Sequence, residues 1–168
     1  MAYEQHVHDA LGTVARCAII TLSDTRSPDT DTSGQAIRRL LESAGHGVTD
    51  YRVIKDDDVA LTSALDELLG RDDVDAILTN GGTGISRRDQ AIGVVERRID
   101  RPLPGFGELF RMLSWEQIGS GAMLSRAVGG IAKRKLIFAM PGSTKAVELA
   151  MTKLILPELP HLLRELRK

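Results

Sequence analysis

The chain has 168 residues, 42% of them hydrophobic and 27% charged, with a formal net charge of −1. That size suits one domain with a substantial core, and the charge offers no basic track for a phosphate backbone. Aromatic content of only 4% argues against a base-stacking platform, so neither nucleic acid nor a membrane is expected as a partner. No apolar run reaches the roughly 20 residues of a membrane span and no signal-peptide pattern is present, so a cytoplasmic location is expected.

Residues 1–14 show no periodicity and are expected to form a flexible tail, with residues 15–168 as a single domain. His6 and His8 lie in that tail, where a shared metal competes with simple solvation. The stretch CAIITL, from Cys17 to Leu22, reads as a buried strand ended by Ser23 and Asp24. The single Cys17 excludes an internal disulfide, and a packed thiol is the expected state. A polar loop leads to a helix from about Ser33 to Ala44. Ile37, Leu40, Leu41 and Ala44 form its apolar face, Ser33 is a candidate cap, and Gly45 stands where a left-handed ending belongs.

VTDYRVI predicts a second strand and residues 58–69 a second helix, with VDAILT as a third strand. A helix near Gln90 to Ile99 follows, broken by Pro102 and Pro104. GFGELFRMLSWEQIG predicts another, on which Phe106, Phe110, Met112 and Trp115 read as core or as a subunit contact, helical spacing favouring core. KLIFAM is the fourth strand, followed by a turn and helix, then a short helix after Pro157. Strands alternating with amphipathic helices imply a three-layer α/β/α sandwich around a mostly parallel sheet.

Ligands of such sheets bind beyond the carboxyl ends of the strands. The residues there are Ser23 and Asp24 after the first strand, and Asp56 to Asp58 after the second. Asn80, Gly81, Gly82, Thr83, Gly84 and Asp89 follow the third, and Pro141, Gly142, Ser143 and Thr144 the fourth. Gly81, Gly82 and Gly84 either make a tight turn or bare the backbone N–H groups to an anion. The loop has neither Rossmann nor Walker spacing. Each of Asp56 and Asp89 alone reads as a helix-start carboxylate. Together, beside a glycine loop, they suit Mg²⁺ shared with a polyphosphate. Ser125 and Arg126 read equally as phosphate ligands or as a surface pair. His46 reads as a helix-end residue.

Three stretches, TNGGTGISRRDQA, GFGELFRMLSWEQIGSGAMLSRAVGGI and LIFAMPGSTKA, together with the LSDTRS and DTSG segments, resemble the MoaB/MogA family of molybdenum-cofactor biosynthesis, the MoaB branch most closely. The resemblance runs from about Arg16 to Leu156. It implies a molybdopterin-binding α/β domain that assembles as trimers or hexamers and passes its product to other molybdenum-cofactor enzymes. In catalytic members molybdopterin is adenylylated by Mg·ATP, with release of pyrophosphate; the alternative is a non-catalytic molybdopterin carrier. The family's glycine motif falls on Gly81, Gly82, Thr83 and Gly84, and its two acids fall on Asp56 and Asp89, which the resemblance makes the catalytic and Mg²⁺-binding pair. Ser23, Asp24, Ser125, Arg126, Pro141, Gly142 and Ser143 match the remaining ligand-binding positions. The chain departs from the pattern at Ile92 and Gly93, where the family carries a proline and an acid.

Overall fold

A computed structural model describes residues 2–168. Seven α-helices and six strands are arranged in the order α1 Ala2–Asp9, β1 Arg16–Leu22, α2 Thr32–Ser43, β2 Gly47–Ile54, α3 Asp58–Leu69, β3 Ala76–Asn80, α4 Ala91–Glu96, β4 Arg101–Pro102, α5 Pro104–Ile118, β5 Val128–Ala132, β6 Lys135–Met140, α6 Thr144–Ala150 and α7 Leu156–Arg167. The sheet order is β2-β1-β3-β6-β5-β4. β2, β1, β3 and β6 pair in parallel, and β5 runs antiparallel to both β6 and β4.

The three-layer expectation is borne out, and β1 illustrates why. Its residues alternate between two cores. Cys17 and Ile19 join Ile37, Leu41 and Phe110 on one face, while Ala18, Ile20 and Leu22 join Leu61, Leu65 and Val95 on the other. Buried among these groups, the Cys17 thiol is pushed up to about 12 by desolvation, helped by the nearby Asp75 charge, which removes it as a thiolate nucleophile.

Several boundaries differ from the sequence reading. The 2–9 segment, expected as a loose tail, is a helix held against α7: Arg164 donates to the His6 carbonyl at 3.4 Å and to Asp9 Oδ2 at 3.4 Å. α2 is capped not by Ser33 but by Asp31, whose carboxylate accepts from the Gly34 N–H at 3.0 Å. Gly45 does take the left-handed conformation, φ 83°. α4 stops at Glu96 because the chain must join the sheet; Asp100 N–H already donates to the Ile131 carbonyl at 2.8 Å.

The antiparallel β4–β5 edge has no counterpart in the sequence reading. β5 contains Gly129 and Gly130, residues that weaken a strand pattern. Here they are packing requirements. A Cβ on Gly129 would lie 2.7 Å from the Phe138 ring, and one on Gly130 would lie 2.6 Å from Ile99. A two-residue turn joins β5 to β6 with both central residues left-handed, Lys133 at φ 47° and Arg134 at φ 63°. No helix among the described residues is long and apolar enough to cross a membrane.

Candidate functional site

From β1 the chain crosses to β2 on one side, and the next strand, β3, pairs with β1 on the other. The connections therefore diverge between the carboxyl ends of β1 and β3, which opens the crevice that α/β sheets use for ligands. The loop after β3 enters it with Gly81 at φ 93° and Gly82 at φ 63°. A Cβ on Gly81 would run into the Leu22 carbonyl, and one on Gly82 would stand 2.5 Å from Asp56 Oδ1. One on Gly84 would stand 2.6 Å from Asp89 Oδ2. The glycines are needed because the loop passes between two carboxylates.

The N–H groups divide into used and free. Gly81 N–H continues the β3–β6 ladder by donating to the Met140 carbonyl at 3.1 Å. Gly84 N–H points at the Asp89 carboxylate. Those of Gly82 and Thr83 meet no acceptor among the described residues.

Asp24, Asp56 and Asp89 converge on this loop. Asp56 N–H donates to Asp24 Oδ1 at 3.2 Å, and Arg88 pairs with the other oxygen of Asp24. Desolvation, followed by the charges of Asp89 and Asp24, holds the Asp56 carboxyl above the usual range, against the opposing pull of Arg88. Asp89 moves the other way. Its Oδ2 accepts from the Ser86 hydroxyl at 2.6 Å and the Ser86 N–H at 2.9 Å, and these bonds lower it despite some desolvation. Arg126 donates to the Gly84 carbonyl at 2.9 Å and adds positive charge beside Asp89.

Among the described residues these acids do not form a closed cage; the group of three possible ligands whose atoms all lie within 4.8 Å there is His6, His161 and Glu165, elsewhere on the surface. An all-oxygen, open cluster suits Mg²⁺, which keeps waters and shares substrate phosphate oxygens.

The other sequence-predicted residues fall into a neighbouring group. Ser125, Pro141 and Ser143 line one pocket together with Phe110, Thr144 and Lys145. Gly142 joins it to the glycine loop, since a Cβ there would be 3.1 Å from Gly81 Cα. Two hydroxyls are already engaged: Ser143 Oγ caps α6 by accepting from Ala146 N–H at 3.2 Å, and Ser23 Oγ accepts from Arg26 N–H at 3.1 Å. Ile92, at the departure from the family pattern, is a buried residue of α4 packed in the core.

A buried polar network that the sequence reading missed links the two groups. Asp31 is wholly buried. Desolvation pushes its carboxyl up, but hydrogen bonds from Thr21, Gly34 N–H, Tyr51 and Ser33 outweigh that, and the net shift is downward. Tyr51 donates to Asp31 at 2.7 Å, and Ser33 Oγ lies 2.8 Å from Asn80 Oδ1. Arg26 reaches from Ser33 Oγ at 2.7 Å to the Gly142 carbonyl at 3.4 Å. The signal was the DTSG segment, read as loop and resemblance but not as a buried anchor.

Residues 18–161 match the family model described as a probable molybdopterin binding domain. The chain is 53% identical over 169 residues to molybdenum cofactor biosynthesis protein B of Halalkalibacterium halodurans, covering 100% of this chain and 99% of that one. A solved structure of a molybdenum cofactor biosynthesis protein B superposes with a TM-score of 0.90 at 54% identity, over 92% of this chain and 97% of the other. The molybdopterin biosynthesis enzyme MoaB of Thermus thermophilus gives a TM-score of 0.79 at 34% identity, over 91% and 96%. The chain belongs to the MoaB/MogA family of molybdenum-cofactor biosynthesis proteins.

Proposed function

We propose that the protein adenylylates molybdopterin, using Mg·ATP and releasing pyrophosphate. The observation that carries this reading is the convergence of Asp24, Asp56 and Asp89 on an open glycine loop at the switch point of the sheet. An oxygen of the molybdopterin phosphate attacks the α-phosphorus of ATP, and the bond to the β-phosphate oxygen breaks. Bound Mg²⁺ supplies charge neutralisation on those phosphates. Asp56 and Asp89 hold it, directly or through water. The N–H groups of Gly82 and Thr83 receive an anionic oxygen, and Arg88 and Arg126 offset further charge. Such a transfer rests on positioning and electrostatics and requires no nucleophile from the protein. The pocket of Ser125, Pro141, Ser143 and Lys145 takes the pterin end of the substrate.

The reading includes a cytoplasmic homo-oligomer, trimer or hexamer. Of the α5 residues expected in the core, Phe106 and Phe110 are buried, whereas Met112 and Trp115 are exposed together with Leu109, Ile118, Met123 and Leu124. An apolar surface of this kind suits a second copy of the chain. The test of the activity is direct: purified protein, molybdopterin, ATP and Mg²⁺ should yield adenylyl-molybdopterin and pyrophosphate in equal amounts. Pterin binding without product would replace the enzyme by a carrier.

A further inference from the structure

We propose that His6, His161 and Glu165 form a site for a late first-row divalent cation, zinc fitting best, which clips α1 to α7. His161 and Glu165 are one turn apart on α7 and so share a face. α1 brings His6 to them. His8 is two residues further along α1 and so on another face of it; His6 meets residues of α7 instead. His6 Nδ1 lies 3.7 Å and His161 Nε2 3.9 Å from Glu165 Oε1. The two imidazoles meet nearly edge to face, with centroids 6.0 Å apart at 84°. Tetrahedral ligands about 2.0–2.1 Å from zinc stand roughly 3.4 Å apart, and both imidazole-to-carboxylate distances come within about 0.5 Å of that. One ligand atom from each of the three residues lies within 4.8 Å of the others.

The arrangement around His161 is that of a ligand already oriented. Glu158 Oε2 lies 3.1 Å from His161 Nδ1. A carboxylate can only accept, so His161 donates from Nδ1 to Glu158, which leaves Nε2 as the ring nitrogen directed toward Glu165. Glu158 is itself held by the Tyr3 hydroxyl. Two imidazoles and one carboxylate select zinc-like ions over Mg²⁺, and a fourth position remains for water. The competitor is Lys168, whose Nζ is 2.5 Å from Glu165 Oε1; as an exposed pair it yields at little cost.

The site is independent of the acid cluster. Arg167, near the end of α7, pairs with Asp75 at 3.4 Å, just before β3, so this end of α7 lies at the amino-terminal end of the parallel strands, away from the crevice at their carboxyl ends.

The experiment uses the untagged full chain, stripped with a chelator and titrated calorimetrically with Zn²⁺ in excess Mg²⁺. One equivalent should bind, raise the melting temperature, and survive Asp56→Asn and Asp89→Asn. His161→Ala and His6→Ala, checked for native helicity by circular dichroism, should abolish that equivalent. Glu158→Ala should weaken it about tenfold. Co²⁺ in place of Zn²⁺ should give the visible bands of a four-coordinate ion in wild type and not in His161→Ala or His6→Ala. Absence of a saturable equivalent, or binding unchanged in His161→Ala, would overturn the site and leave His6 and Glu165 as a surface ion pair.

Discussion

Gly82 presses its Cα hydrogens against the Asp56 carboxylate: a side chain there would start 2.5 Å from Asp56 Oδ1, on a backbone at φ 63°. Conformation and space therefore forbid any other residue at once. Gly82→Ala should lose most turnover by displacing Asp56 and should destabilise the fold by about 1–2 kcal/mol from the left-handed backbone alone. Thermal melts and turnover on the same preparation check both.

Asp56 also makes a pH prediction. Its folded pKa is raised, so its contribution to stability is present below the ordinary carboxylate value and is lost as pH rises through the folded pKa. The neutral amide of Asp56→Asn escapes that loss. The variant should melt higher than wild type at neutral pH and converge with it near about pH 4, the ordinary aspartate range. Added Mg²⁺ should raise the wild-type melting temperature more than that of the variant.

Asp31 has the opposite sign. Its pKa is depressed by the four hydrogen bonds that outweigh burial, so its contribution is present above the ordinary value and lost as pH falls through the folded one. Asp31→Ala removes the α2 cap and leaves Tyr51 without its acceptor. The expected cost is about 3 kcal/mol at neutral pH, against about 1 kcal/mol for Tyr51→Phe, measured by urea denaturation.

The β5–β6 turn holds two non-glycine residues in the left-handed region, Lys133 and Arg134. That geometry favours Asn-Gly. The double change Lys133→Asn with Arg134→Gly should stabilise by about 1 kcal/mol, without altering turnover. A lower melting temperature would contradict the assignment of the turn.

The exposed α5 surface predicts the behaviour of Trp115, a residue 62% exposed in the single chain. The proposed assembly predicts a trimer or hexamer for wild type in light-scattering chromatography and a monomer for Trp115→Glu, with helicity retained. An unchanged mass would move the contact elsewhere.

The sequence made some of this legible and hid the rest for physical reasons. Apolar spacing disclosed α2 and α3 because each packs one face against a core, and β1 because its short apolar run is buried on both faces. The candidate site was legible as strand-end chemistry, since Asp56 and Asp89 sit beside glycines whose backbone they touch. β5 was hidden because Gly129 and Gly130 answer to Phe138 and Ile99, contacts that local propensity does not register. α1 was hidden because its partner, α7, lies at the far end of the chain. Asp31 was hidden because a carboxylate in a polar loop reads as solvated, whereas four donors from three elements, β1, α2 and β2, satisfy it in a buried position.

The most direct measurement compares wild type with Asp56→Asn and Asp89→Asn, quantifying adenylyl-molybdopterin formation and pterin affinity side by side. Asp56 and Asp89 as Mg²⁺-positioning groups predict pterin affinity within a few-fold of wild type and turnover reduced at least about a hundredfold, some 2.7 kcal/mol of lost transition-state stabilisation. Turnover at the wild-type rate in both variants would contradict the account.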